Sequence, residues 1–340
     1  MVDKPGAAHP NKRATLRTIA ELTGLSQSTV SLSLRGGASL KAETRRRIAE
    51  VAASVGYVPD RAGVRLRTGK TNVIALALDG GEDSIDFTRH LIQGIGHAIH
   101  GTRYHINVTP EFDRARSVDT VRYILENRTA DGIIITHTTA RDPRVQLLTD
   151  AGFPFVTHGR TEFFSPHAYH DFHSEEFVRL GVERLAAQGC KSVTLVVGGS
   201  ATNNYHTIVT MFERASARLK LETRVIGGTD ATTPAELRQI GRDLANDPDR
   251  PDGIMCDSEM RAICLISGLT DGGLRVPADM RFVCKQTSNV LPALFPSIDT
   301  IAEDVFAAGG ELTRLLLRRI AGEPADQLQT LGEPTPYWKS

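Results

Sequence analysis

No run of this chain is apolar for long enough to cross a bilayer, and its first thirty residues lack the charged-then-apolar pattern of an export signal. Both absences point to a cytoplasmic protein with no membrane partner. Cysteine is scarce. Cys190, Cys256, Cys264 and Cys284 are scattered without a C-x-x-C pair, which favours reduced core residues over a disulfide frame or a metal site. The phosphate loop G-x-x-x-x-G-K-[ST], the nucleophile elbow G-x-S-x-G and the zinc-protease pattern H-E-x-x-H are all missing, so no enzyme class or cofactor is supported. Net charge is absent too, with 40 Lys and Arg against 40 Asp and Glu. That balance hides an asymmetry. Through Lys70 there are 13 basic and five acidic residues, leaving 27 against 35 in the remainder. A small basic module fused to an acidic body implies that the N-terminus meets a polyanion and the body does something else.

What is present is enough sequence for two or three domains: 340 residues, 40% of them hydrophobic. Residues 1–13, with Pro5, Gly6 and Pro10, read as a disordered lead-in. Thr15 can then cap a helix with apolar positions Leu16, Ile19, Ala20 and Leu22, and Gly24 can end it. Ser26 can cap a second helix reaching about Leu34, and a third is expected from about Ala42 to Val55. Helix, short glycine turn, helix, loop and helix over 14–58 is a helix-turn-helix domain, which lays its second helix in the major groove of duplex DNA. Gln27, Ser28, Ser31 and Leu32 are the candidate base readers, since Gln pairs with adenine edges, Ser serves several bases and Leu touches a thymine methyl, and Thr15, Ser26 and Thr29 join them in the expected DNA-binding set. Arg35, Thr44, Arg45, Arg46, Arg47 and Tyr57 fall where phosphate contacts would set register.

The stretch TLRTIAELTGLSQSTVSLSLRGG, followed by ETRRRIAEVAASVGYVPDRAGVRLRTGKTNVIALAL, resembles the LacI/GalR family of bacterial repressors, and the resemblance continues over nearly the whole chain. It implies that residues 59–70 are a hinge that becomes a short helix on an operator. Two copies would enter the minor groove and push Leu66 into the central base step, with Arg61, Arg65 and Arg67 at phosphates. Four departures stand out: Asp60 for a usual asparagine, Gly63 for an alanine, Leu32 for a basic or polar reader, and Lys41 for a serine cap. Glycine costs about 1 kcal/mol relative to alanine in a helix.

Beyond residue 70, apolar runs alternate with helical patterns in two successive series. Val73–Leu78, Tyr104–Val108, Gly132–Thr136 and Phe155–Thr157 read as the strands of the first; Val193–Val197, Thr223–Ile226, Gly253–Cys256 and Phe282–Cys284 as those of the second. Two series imply two α/β lobes of parallel sheet covered by helices. The resemblance implies a periplasmic-binding-protein-like body over 71–335, with one lobe about 71–165 and 301–335, the other about 166–300. The crossovers are expected near 160–171 and 296–302. Ligands in such sheets sit at the carboxyl ends of strands. The candidate effector residues are therefore Asp79, Phe87, Thr136, His137, His158, Arg160, Asp171, Tyr205, Asp257, Glu259, Lys285 and Gln286. Where the family often carries G-F-D-D, this chain has Cys284-Lys285-Gln286-Thr287, and Ile208 and Met211 replace an arginine and a glycine. The implied effector is a sugar or sugar derivative, with Lys285 and Arg160 leaving an acidic one open.

His158, His167, His170 and His173 raise a metal alternative, and with it a DNA-tethered metalloenzyme. A continuous helix would be needed to bring the last three together, and Pro166 argues against one. The preferred reading has no metal: an effector-controlled regulator, a homodimer or tetramer on a pseudo-palindromic operator.

Overall fold

The computed structural model describes residues 14–34, 40–58, 61–79, 85–111, 116–163, 165–227 and 232–339. The lead-in and Arg35 lie outside them, as do the side chains of Arg61, Arg67 and Asp79. The chain divides into two compact units, residues 1–71 and 72–340.

The first unit is helical: α1 (Leu16–Thr23), α2 (Gln27–Leu34), α3 (Ala42–Ser54) and α4 (Arg61–Thr68). Thr15 starts α1 through a reciprocal cap in which its hydroxyl accepts from the Thr18 amide while the Thr18 hydroxyl accepts from the Thr15 amide. Gly24 ends α1 at φ 70°, a left-handed conformation that glycine enters without a Cβ penalty. The Ser26 hydroxyl accepts from the Thr29 amide 3.1 Å away and so caps α2. Lys41 supplies no side-chain cap to α3, as its departure from serine implies. Ile19, Ala20, Val30, Ile48 and Ala52 form the buried centre that joins the three helices.

The second unit holds two six-stranded sheets. In chain order its elements begin with β1 (Val73–Asp79), α5 (Ile85–Ile99), β2 (His105–Glu111), α6 (Ser117–Asn127), β3 (Gly132–Ile135), α7 (Pro143–Asp150), β4 (Phe155–His158) and β5 (Tyr169–Phe172). There follow α8 (Ser174–Ala187), β6 (Ser192–Val197), α9 (Asn203–Arg218), β7 (Glu222–Gly227), α10 (Pro234–Asn246), β8 (Gly253–Cys256), α11 (Glu259–Asp271) and β9 (Arg281–Gln286). The last are α12 (Val290–Leu294), β10 (Asp299–Ala302), α13 (Val305–Ile320), β11 (Gln329–Gly332) and β12 (Thr335–Tyr337). The first sheet runs β11-β5-β4-β3-β1-β2, all parallel; the second runs β12-β10-β9-β8-β6-β7, with only β12 antiparallel. Alternate residues of β1 serve opposite faces: Ile74, Leu76 and Leu78 enter one apolar cluster, Ala75 and Ala77 the other. A strand covered on both faces must be apolar throughout, which is why β1 reads as an unbroken run.

The lobe boundaries differ from the sequence expectation. Tyr169–Phe172 is a strand of the first sheet, so the first crossing falls at His173. The second is at Glu303–Asp304, between β10 in the second sheet and α13, which packs on α5 of the first lobe. A third, unexpected crossing at Glu333–Pro334 carries the chain from β11 back to β12. Each lobe also contains a close helix crossing built on paired glycines. A Cβ on Gly94 of α5 would lie 2.0 Å from the Phe306 carbonyl oxygen, and one on Gly309 of α13 would lie 2.4 Å from that of Leu91. Gly241 and Gly268 make the same approach between α10 and α11.

Candidate functional site

On the helical unit, Gln27 and Ser28 in the first turn of α2 are exposed, and Leu32 one turn later is 37% exposed. The Ser28 hydroxyl lies 2.8 Å from that of Ser26, which fixes the capping turn. Arg46 is exposed and held by Glu43 at 2.9 Å within α3. Such exposed pairs contribute about 0.5 kcal/mol, too little to keep the guanidinium from a phosphate. Tyr57 packs against the small core, and Thr44 is half-buried. On α4, Arg65 is exposed and Leu66 is 90% exposed. A leucine so exposed packs little against the described residues of this unit.

In the larger unit, His158, Lys285 and Arg160 of the expected effector set take part in contacts that link the lobes, whereas Asp257, Gln286 and Tyr205 contact residues of the second lobe. The rings of His137 and His158 lie 5.9 and 5.1 Å from that of Phe87. His158 Nε2 is 3.1 Å from Glu303 Oε1, and Lys285 Nζ is 2.5 Å from Glu303 Oε2 and 4.4 Å from the centre of the Phe172 ring. Burial raises the carboxyl pKa of Glu303, but Lys285 and His158 outweigh it and hold the group well below the usual range. Arg160 donates to Asp171 at 2.7 Å and, across the lobes, to both oxygens of Glu175 at 2.9 Å. Burial pushes the Asp171 carboxyl up despite Arg160. Asp257 binds Arg261 at 3.1 Å and accepts from the Gly198 amide. Gln286 accepts from Thr300, and a Cβ on Gly227 would meet the Tyr205 hydroxyl at 2.7 Å. Buried Thr136 donates to the Ala77 carbonyl.

Glu259 is the correction. Its buried carboxylate accepts from the Thr287 amide and hydroxyl on one oxygen and from the Leu291 amide on the other, so it fixes the start of α12 instead of facing the cleft. Of the four histidines, His158 and His170 are neighbours, their rings 6.4 Å apart. His167 pairs with Thr157, His170 with Thr330 and His173 with Glu333, and among the described residues no three His, Cys, Asp or Glu side chains are grouped to hold a metal ion.

Residues 15–60 match the family model described as bacterial regulatory proteins, lacI family, and residues 182–339 match the periplasmic binding protein-like domain. The chain belongs to the lacI family. This LacI-family protein is a sequence-specific DNA-binding transcriptional regulator and not an enzyme. It is 27% identical to the HTH-type transcriptional regulator AglR of Rhizobium meliloti (strain 1021), over 91% of this chain and 88% of that one. It is 32% identical to RafR of Escherichia coli over 57% of each chain. A lac repressor dimer bound to operator and the anti-inducer ONPF shares the fold at TM-score 0.82 and 20% identity, covering 96% of this chain and 98% of that one. A CelR–cellobiose complex matches at TM-score 0.70 and 22% identity over the same shares.

Sequence reasoning about this LacI-family regulator missed Glu303, Glu175 and Asn203. Asn203, the first residue of α9, donates its amide to the Thr138 carbonyl at 3.0 Å and its side chain to the Arg160 carbonyl at 3.2 Å, joining the lobes. Glu303 follows β10, a strand of four residues with no apolar run to mark its end.

Proposed function

We propose that the protein is a repressor that grips a pseudo-palindromic operator as a homodimer and is released by a neutral sugar held between its lobes. The observation that carries the DNA half is Leu66, 90% exposed on a helix beside a capped helix-turn-helix. An apolar wedge stabilises a complex only where it can leave water, and an unstacked base step is such a place. Two-fold symmetry of a dimer would be mirrored in the operator. Support for a sugar comes from the relatives, one of which is described as a cellobiose complex. The acidic effector left open by Lys285 and Arg160 is disfavoured, because Glu303, Asp171 and Glu175 already neutralise those cations. An incoming anion would meet these carboxylates in a site of low dielectric.

Selection of genomic fragments by the full chain, beside a chain lacking residues 1–70, tests the proposal. A shared palindromic motif that vanishes on truncation supports it, and a motif retained by the truncated body would overturn it. On that operator two hinge substitutions should act in opposite directions. Leu66→Ala weakens binding by about tenfold or more, the loss of a wedge worth roughly 1.5–3 kcal/mol. Gly63→Ala tightens it by about fivefold per hinge helix, since alanine favours the helix by about 1 kcal/mol and a Cβ there meets nothing within 4 Å. Equal affinities for both variants at fixed salt would remove α4 from the interface.

A further inference from the structure

At the second crossing between the lobes, a single carboxylate is held by side chains from both. Glu303 lies in the second crossing with its side chain 5% exposed. His158 reaches it from the end of β4 in the first lobe, and Lys285 reaches it from β9 in the second, each of these side chains being 13% exposed. Beyond the Lys285 ion contact, Oε2 finds no hydrogen-bond partner among the described residues. A buried carboxylate is tolerated only while its counter-charge and hydrogen-bond donors are close; losing the cation leaves an uncompensated charge, whereas removing both charges of a pair is often neutral. Opening the lobes about their crossings would draw His158 and Lys285 apart, and one carboxylate cannot follow both. We propose that Glu303 is a clamp at the second crossing, a positioning residue that holds the lobes closed by binding His158 and Lys285 together, and through which effector occupancy acts on closure. The effector clause rests on the cleft reading above; the clamp itself does not.

The cross-lobe hydrogen bond from the Asn203 amide to the Thr138 carbonyl is the natural reporter. Hydrogen exchange is followed by mass spectrometry on the full chain with no ligand added, so failure of the sugar reading leaves this test intact. In E303Q, peptides containing Asn203 should exchange about tenfold faster through local opening while β8 peptides keep their rate. The charge-neutral double variant E303Q/K285M should return the Asn203 amide to within about twofold of the parent. D299N, which breaks the Arg184–Asp299 pair inside the second lobe, should leave that amide unchanged. Unchanged exchange at Asn203 in E303Q overturns the clamp. So does equal acceleration of β1 and β8, which marks lost packing, or a double variant as fast as E303Q. Should E303Q not fold, K285M alone is read at the same amide, and an unchanged rate there overturns the proposal.

Discussion

Acidification from pH 6.5 towards pH 4 is expected to destabilise the two-lobed body by up to about 6 kcal/mol through two histidines. His167 and His170 are buried, and burial pushes each imidazole down to about 4. Above pH 6.5 they are neutral in both folded and unfolded chains and contribute no pH dependence. Between 6.5 and 4 the unfolded chain takes up protons that the folded one refuses, so unfolding gains about 1.4 kcal/mol per histidine per pH unit. Asp171 opposes this, because its raised carboxyl takes up a proton in the folded state first. Asp142 and Glu303, both lowered, lose their contribution only at lower pH, below the ordinary carboxylate range. Urea midpoints of the body should therefore be level from pH 8 to 7 and fall between 6 and 4.5, with a shallower fall in His170→Gln. A midpoint level down to pH 4.5 would show that neither histidine stays neutral in the fold.

A second large effect is expected at the glycine crossings, where neighbouring glycines should respond with opposite signs. In Gly94→Ala the new Cβ would fall 2.0 Å from the Phe306 carbonyl oxygen, a backbone atom that moves only if α5 and α13 separate. The cost is about 3 kcal/mol or more, the upper end for an overpacked core. Gly96, two residues along α5, meets nothing within 4 Å of an added Cβ. Gly96→Ala should stabilise by about 0.5–1 kcal/mol by restricting the unfolded chain and favouring helix. Gly309 and Gly310 on α13 form the same contrast, the first 2.4 Å from the Leu91 carbonyl oxygen and the second open. Thermal melting of the four variants decides the point. Similar shifts within each pair would mean that the helices do not cross at these glycines.

Much of the architecture was legible because it rests on local signals. Thr15, Gly24 and Ser26 announce α1 and α2 through side-chain chemistry that acts within four residues, and the central strands announce themselves by being apolar on both faces. The strands that escaped were β5, β10, β11 and β12, none longer than four residues. Tyr169-His170-Asp171-Phe172 has no apolar run, and its strand character comes from neighbours far along the chain, β4 on one side and β11 on the other. Missing them misplaced the first crossing and hid the third. The ion pairs that link the lobes were not readable from the sequence. Lys285 and Arg160 look like free cations in sequence, yet each meets a carboxylate of the protein, and those carboxylates lie from 11 to 18 residues away. Glu259 looked available for the same reason: its partners Thr287 and Leu291 are brought to it only by the turn before α12.

The most direct test of regulation by a ligand in the cleft is an operator titration. The fragment recovered by genomic selection is titrated with the full chain at one fixed salt concentration, alone and with cellobiose, other neutral disaccharides and their uronic acid counterparts. Fixed salt is essential because phosphate contacts make affinity steeply salt-dependent. A neutral disaccharide that binds the body and shifts operator affinity tenfold or more, while its acidic counterpart does neither, is the expected result. A sugar that saturates the body and leaves operator affinity unchanged would contradict it, since a ligand with equal affinity for both states cannot switch them.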